Sequence, residues 1–281
     1  MNLGYTYRLY PNRIQVESLN RTLDLHRELY NAALEERREA WKRQRVSISW
    51  YDQNNQIKEI RQLREDLALL NFSSCQQTLR RLSKAFDGFF RRIKSGETPG
   101  YPRFQSRSRF NSVTFVFGDG IHLVSGRLKV QSVGAIKVKL HREIPSDAEI
   151  KQVVIKRKGD LWYAHFLLEL PEPTPEPHTG NQVGIDLGLI HFAALSDGET
   201  VEAPRHFRQS ERVLRVQQRR VSRRKKSSRG CRKARQLVSK THERIANRRK
   251  DFTHKLSTRL AEEFSLIALE DLNVKGLSRS M

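Results

Sequence analysis

Polar and apolar residues alternate over Tyr5–Tyr10, and beyond Pro11-Asn12 the apolar positions Leu19, Leu23, His26, Tyr30 and Ala33 recur at helical spacing. The pattern predicts one strand followed by a long helix. Arg13, Arg21, Arg27, Arg37 and Arg38 give that helix a basic outer face. A shorter helical pattern spans about Gln53 to Leu69. A third is clearer, with Ser73 or Ser74 as N-cap and with Cys75, Leu79, Leu82, Phe86, Phe90 and Ile93 along one face. Core packing is the expected role of those aromatic rings. Three helices inserted after one strand predict a small helical lobe.

The turn-rich stretch Gly96–Phe104 is broken by Pro99 and Pro102, and beyond it the period changes to two. Ser112–Phe117, Ile121–Val124, Arg127–Gln131, Ala135–Leu140, Ile150–Lys156 and Leu161–Leu170 are predicted strands separated by glycine-containing turns. Short strands at this density predict a small barrel or sandwich that the first strand can join. Lys129, Lys137, Lys139, Arg142, Lys156, Arg157 and Lys158 decorate it. Solvation explains each alone, while their density favours phosphate contact. The proline-rich stretch Pro171–Gly180 is a stiff linker and the predicted boundary between residues 1–170, with helices over about 12–95, and residues 181–281.

After the linker, Val183, Ile185 and Leu187 mark an apolar strand with one carboxylate, Asp186, in its middle. Burying an ionised carboxylate is costly unless a metal or hydrogen bonds compensate it. A second strand of the same character, within Phe264–Asn273, ends on Glu270. Two acids on two such strands can share one divalent ion; each can equally cap a turn or pair with an arginine. Between the two strands the composition shifts, with 19 Lys or Arg against two acids from Arg205 to Lys250. Val213, Leu214 and Val221, then Ala234, Val238, Thr241, Ile245, Phe252, Leu256 and Leu260, keep helical periodicity. Two basic helices joined by the loop Lys225–Gly230 follow. Their candidate nucleic-acid-binding residues are Arg219, Arg220, Arg223, Arg224, Lys225, Lys226, Arg232, Lys233, Arg235, Arg248, Arg249 and Lys250, since rows of cations along a helix can track a phosphate backbone.

Across all 281 residues, 53 Lys and Arg outweigh 31 Asp and Glu, a formal net charge of +22 that favours polyanion partners. No apolar run is long enough for a membrane span, and the opening residues do not resemble a signal peptide, so a cytoplasmic, nucleoid-associated protein is expected. Cys75 and Cys231 lie far apart and neither belongs to a C-x-x-C pair, which leaves a disulfide framework and a zinc ribbon unsupported. His206, His242 and His254 are expected to be surface or interhelical residues.

Tyr7–Pro11, Pro99–Phe104, Val183–Gly188, the turn Ser196–Gly198, the Arg/Lys/Ser run, His242–Phe252 and Leu269–Gly276 together resemble, in order, the TnpB (OrfB) family of transposon-encoded RNA-guided nucleases. The resemblance covers essentially the whole chain. It implies an α+β multidomain fold: a helical lobe inserted in an oligonucleotide-binding-type β-barrel, followed by a RuvC-like domain of the RNase H fold. Asp186 and Glu270 match the first and second acids of that site, which implies Mg²⁺-assisted attack of water on a phosphodiester. The helix with Gln76, Gln77, Arg80 and Arg81 resembles the part that reads a short motif beside the target. A guide RNA from the transposon end and target double-stranded DNA are the implied partners, with sequence choice left to base pairing. The family pattern continues past the second acid with a zinc ribbon of two C-x-x-C pairs and a third catalytic aspartate, whereas this sequence ends at Met281. A C-terminally truncated, cleavage-deficient protein without zinc ligands is therefore expected. Two other readings remain, a guide-dependent DNA-binding repressor and a basic RNA-binding protein unrelated to transposition.

Overall fold

The computed structural model describes residues 1–172, 180–188 and 190–272. The proline-rich linker therefore falls largely outside the described residues, as do Leu189 and the family-like residues beyond Leu272. The chain divides into two compact units, Met1–Pro173 and Thr174–Met281, of mixed α/β character.

In the first unit, β1 (Asn2–Tyr10) leads into α1 (Arg13–Gln44), α2 (Trp50–Leu63), the single turn α3 (Glu65–Ala68) and α4 (Phe72–Lys94). Six strands follow: β2 (Ser112–Val116), β3 (Ile121–Val124), β4 (Arg127–Val130), β5 (Gly134–Lys139), β6 (Glu149–Lys158) and β7 (Leu161–Glu169). All seven strands form one antiparallel sheet in the order β2-β6-β7-β1-β5-β4-β3. The first strand thus lies in the middle, paired with β7 from Asn2 to Leu9 and with β5 from Arg8 to Tyr10. The two edges, β2 and β3, are consecutive in sequence and joined by the turn 117–120, where the Gly118 amide donates to the Ile121 carbonyl (3.0 Å) and the Gln131 amide to that of Gly120 (2.8 Å). The sheet curls into a nearly closed barrel. Alternate residues fill it, among them Tyr7, Leu9, Phe115, Ile121, Leu128, Ile136, Ile155, Phe166 and Leu168. Period two is what lets one face be apolar throughout while Lys129, Lys137 and Lys139 stay outside.

The helical pattern needs correction in four places. The N-cap of α4 is Asn71, not Ser73 or Ser74: its side chain accepts from the Ser74 amide (2.9 Å) and also donates to Asp119 (2.9 Å) in the β2–β3 turn. A Cβ on Gly120 would come within 2.6 Å of that amide, and Gly120 has φ +71, so only glycine fits. The pattern from Gln53 to Leu69 is two helices, because Arg64 is extended and forks onto Asp66 while Arg61 donates to the carbonyls of Leu67, Ala68 and Leu70. Arg27 and Arg37 are not on a solvated face of α1. Arg37 is half-buried, donates to Gln53 (2.8 Å) and lies over the Phe86 ring. Along α4, Cys75, Leu79 and Leu82 are core, but Phe90 and Ile93 are about half exposed.

The second unit holds β8 (Gln182–Asp186), β9 (His191–Leu195), β10 (Thr200–Glu202), α5 (His206–Ser222), α6 (Arg229–Glu263) and β11 (Leu266–Leu269). The sheet order is β10-β9-β8-β11, antiparallel except for the parallel pair β8 and β11. Val183, Ile185, Ala193, Leu195 and Leu260 form its core, with Leu256, Phe264 and Ile267 packed against them. The loop between the basic helices is shorter than the sequence suggests, since Ser228 caps α6 and Arg229 and Gly230 are already helical.

His26 is the one fully buried histidine among the described residues, with Nδ1 on the Thr78 hydroxyl (2.9 Å) and Nε2 on that of Ser74 (3.2 Å). Burial, reinforced by Arg81, lowers its pKa to about 3. Below its unfolded value near 6.5, the unfolded chain takes up a proton that the folded chain refuses, so stability is complete above that pH and falls as the pH drops toward 3. The expected slope is about 1.4 kcal/mol per pH unit from this residue. Denaturant titrations at pH 5, 6 and 7 should show it, and His26→Gln should flatten it.

Candidate nuclease site and nucleic-acid interface

In β8, Val183 and Ile185 point to the face covered by α6, so Gly184 and Asp186 lie on the other face by the period of two. Parallel pairing aligns Ile185 with Leu269, which makes Asp186 and Glu270 the next residues on two adjacent strands. They line one open pocket of about 540 Å³ with Gly184, Ala194, Ser196 and Ala268. Small residues keep its floor low. The hydroxyl of Ser196 accepts from the Gly184 amide (3.0 Å), and the Ser196 amide donates back to the Gly184 carbonyl (2.9 Å), which fixes the end of β9 beside Asp186.

The expectation of a buried acid is therefore corrected. Asp186 and Glu270 are both exposed, because each sits at a strand end on the uncovered face. Their charges need no compensation from the fold. Among the described residues neither carboxylate is paired with a Lys or Arg or accepts a hydrogen bond, so the capping and ion-pair alternatives do not apply there. Gly184 and Ser196, which lie within motifs that carry the resemblance, also line the pocket, as does Ala268, which no motif marked. Two hard oxygen donors converging with open space beside them match the way Mg²⁺ is held by one or two carboxylates, water and phosphate. Among the described residues no group of three or more His, Cys, Asp or Glu side chains converges.

All twelve candidate cations of α5, α6 and the loop between them are exposed. The helices pack through Leu214, Cys231 and Ala234 and a hydrogen bond from Thr241 to Gln217 (2.9 Å), with the cations turned outward. They fall into two groups. Arg219–Lys226 and Arg232–Arg235 surround the tip of the hairpin, about 40 Å along α6 from Leu256 at 1.5 Å per residue. Arg248, Arg249 and Lys250 lie at the sheet end, close in sequence to Phe252, whose ring meets Phe192 edge-on at 5.0 Å. His206 is interhelical, its ring edge-on to Phe252.

In α4, the four residues matched to target-adjacent reading have different surroundings. Arg80 is exposed and lies over the Trp50 ring, and Gln76 and Gln77 are half-buried. Arg81 is occupied internally: it donates to the Ser112 carbonyl (3.0 Å), lies over the Phe110 ring, and has its pKa lowered by burial. Both cysteines are free and buried, and burial pushes the Cys75 thiol up to about 11.

The sequence was compared with known proteins. Residues 165–281 match the OrfB_IS605 model, described as "Probable transposase", and residues 1–45 match a model described as "Helix-turn-helix domain". Here residues 1–45 form a strand and one continuous helix rather than two helices about a turn. A Streptomyces pristinaespiralis protein named "Putative RNA-guided DNA endonuclease" is 34% identical over 99% of this chain and 68% of its own length. The chain belongs to the TnpB (OrfB) family. An Escherichia coli protein named "Putative RNA-guided DNA endonuclease InsQ" is 28% identical over 73% of this chain, and the match covers 49% of its own length. A solved Cas12f1-sgRNA-target DNA complex shares the fold at a TM-score of 0.50 and 11% identity, over 92% of this chain and 65% of that one. Among the described residues no helix is long and apolar enough to cross a membrane.

Replacing Arg223, Arg224, Lys225 and Lys226 with alanine should weaken oligonucleotide binding and leave the melting temperature unchanged, since all four are exposed. The slope of log affinity against log salt should shrink by roughly 0.7 for each lost contact to a single strand and 0.9 to a duplex. An unchanged slope would remove the hairpin tip from the interface.

Proposed function

We propose that this TnpB-family chain binds a guide RNA and target DNA and holds Mg²⁺ at the phosphodiester between Asp186 and Glu270. The observation that carries the reading is the register of β8 and β11, which brings the two carboxylates to adjacent strand ends beside an open pocket. The strand order β10-β9-β8-β11, antiparallel strands followed by one parallel neighbour reached through helices, supports a RuvC-like domain of the RNase H fold. The relatives' names, RNA-guided DNA endonucleases, support guide RNA and DNA as partners. A transposon-end origin of the guide and a cytoplasmic location are part of the same proposal.

A bound Mg²⁺ would activate water for attack and offset charge on the leaving oxygen. The chain's own share is to hold that ion with Asp186 and Glu270 and to keep the scissile backbone against the pocket floor of Gly184, Ser196 and Ala268. Arg248, Arg249 and Lys250 neutralise phosphates near the sheet, while the hairpin tip grips them about one duplex turn away. A second reading, guide-dependent binding without cutting, rests on the exposed cations of the basic hairpin, whose contacts to a phosphate backbone need neither carboxylate.

Manganese, a paramagnetic stand-in for magnesium, allows the metal site to be titrated by electron paramagnetic resonance. One ion should bind, and Asp186→Ala or Glu270→Ala should each weaken it at least tenfold without altering guide-RNA affinity. Undiminished binding in both variants would refute the site. Target DNA cut in a guide- and metal-dependent manner, and spared by Asp186→Ala, would assign nuclease activity; guided binding with intact DNA would assign the second reading.

A further inference from the structure

The apolar stripe of α4 ends in rings that the core does not use. His26 meets Thr78 and Arg37 meets Phe86, so α1 and α4 advance in the same direction and their C-terminal ends lie together. Between those ends and the start of α2 is a cleft of about 530 Å³. Its walls are Trp41, Trp50, Phe86, Phe89, Phe90 and Tyr101. Phe86 and Phe90 are stacked at 6.4 Å, and Tyr101 stands edge-on to Phe86 (5.6 Å) and Phe89 (5.3 Å). Trp41 is 53% exposed and Phe90 54%. A cluster of large rings open to water on this scale marks a binding surface.

Its rim decides what kind. The last turns of the two helices carry Lys42 and Arg43 and, on α4, Arg91, Arg92 and Lys94. Arg45, left-handed at φ 56, turns the chain and lies over the Trp41 ring at 5.6 Å. The lining adds the hydroxyls of Ser47, Ser49 and Ser83 and a single carboxylate, Asp87. Flat rings inside and cations outside are complementary to a base and its phosphates, since aromatic side chains stack any nucleobase while cations follow the strand. An apolar protein segment would be matched by the rings but not by the cationic rim. We propose that this cleft takes an unpaired nucleobase of a single-stranded nucleic acid, stacked on its aromatic walls, with the neighbouring phosphates on the rim. The inference rests on the nucleic-acid reading above but not on Asp186 or Glu270.

The chain carries its own reporter, because two of its three tryptophans, Trp41 and Trp50, line the cleft and the third, Trp162, is buried in the barrel. Full-length chain would be titrated with a single-stranded RNA, the same sequence as DNA, an abasic DNA backbone of equal length and a blunt duplex. Base-bearing single strands should quench tryptophan emission, with the stronger of the RNA and DNA arms naming the source of the base. The abasic backbone and the duplex should bind with little quenching. Phe90→Ala should weaken single-strand binding roughly tenfold with an unchanged salt slope, and Phe90→Trp should restore it. Equal quenching by the abasic strand, or unaltered affinity in Phe90→Ala with melting temperature preserved, would overturn the proposal. So would self-association abolished by Phe90→Ala while oligonucleotide binding persists, which would give the cleft to a second copy of the chain. Tight single-strand binding without quenching would sink the cleft and spare the nucleic-acid reading, and Asp186→Asn should leave the quenching unchanged.

Discussion

The register between β8 and β11 is the constraint on which the candidate site depends. Four residues on each strand pair in parallel, Gln182–Ile185 against Leu266–Leu269, and a slip of one residue would turn Asp186 or Glu270 to the other face of the sheet. β11 contributes little of its own to this choice, since Leu266 and Leu269 are substantially exposed. The pairing is held instead from the covered side, where Leu256 and Leu260 of α6 pack on Val183 and Ile185, and Phe264 and Ile267 follow directly from that helix. Arg259 forks onto Glu199 at the β9–β10 turn (2.7 and 3.0 Å), tying the same part of α6 to the other side of the sheet. That exposed ion pair contributes modestly to stability and chiefly fixes direction. The helix therefore sets the register, and the register sets the carboxylates.

In the first unit the same kind of positioning relies on buried polar groups. Asn71 joins the start of α4 to the β2–β3 turn, Arg81 joins its middle to β2, and His26 links α1 to α4. Each bond satisfies a group that would be expensive to bury alone. Leu79 and Leu82 supply the burial, while the polar contacts select one orientation of α4 over others with similar apolar area. Phe90 lies on the same face of α4 as Leu79, beyond the part of that face that the core covers.

The basic hairpin shows how charge and chemistry can be separated within one unit. Its cations are turned outward and most lie far along α6 from the two acids, so the phosphate contacts and the metal site proposed above draw on different residues. The proposed reading requires this division, because a protein that leaves sequence choice to base pairing needs backbone contacts over a distance and only a small reactive centre.

Periodicity alone was enough for the strands of the barrel, for α1 and for the two basic helices, because one-sided burial imprints a period of two or 3.6 on the residues themselves. The same record, with the ordered motifs, made the family and the pair Asp186 and Glu270 legible. It was silent where long-range contacts chose between local options: Asn71 caps α4 because Asp119 holds it, and the helix before it breaks because Arg61 and Arg64 find partners. It misjudged Asp186 and Phe90 for one reason. A pattern says which residues share a face but not whether anything covers that face, and only the packing of α6 on one side of the sheet and of β2 against α4 decided which groups meet solvent.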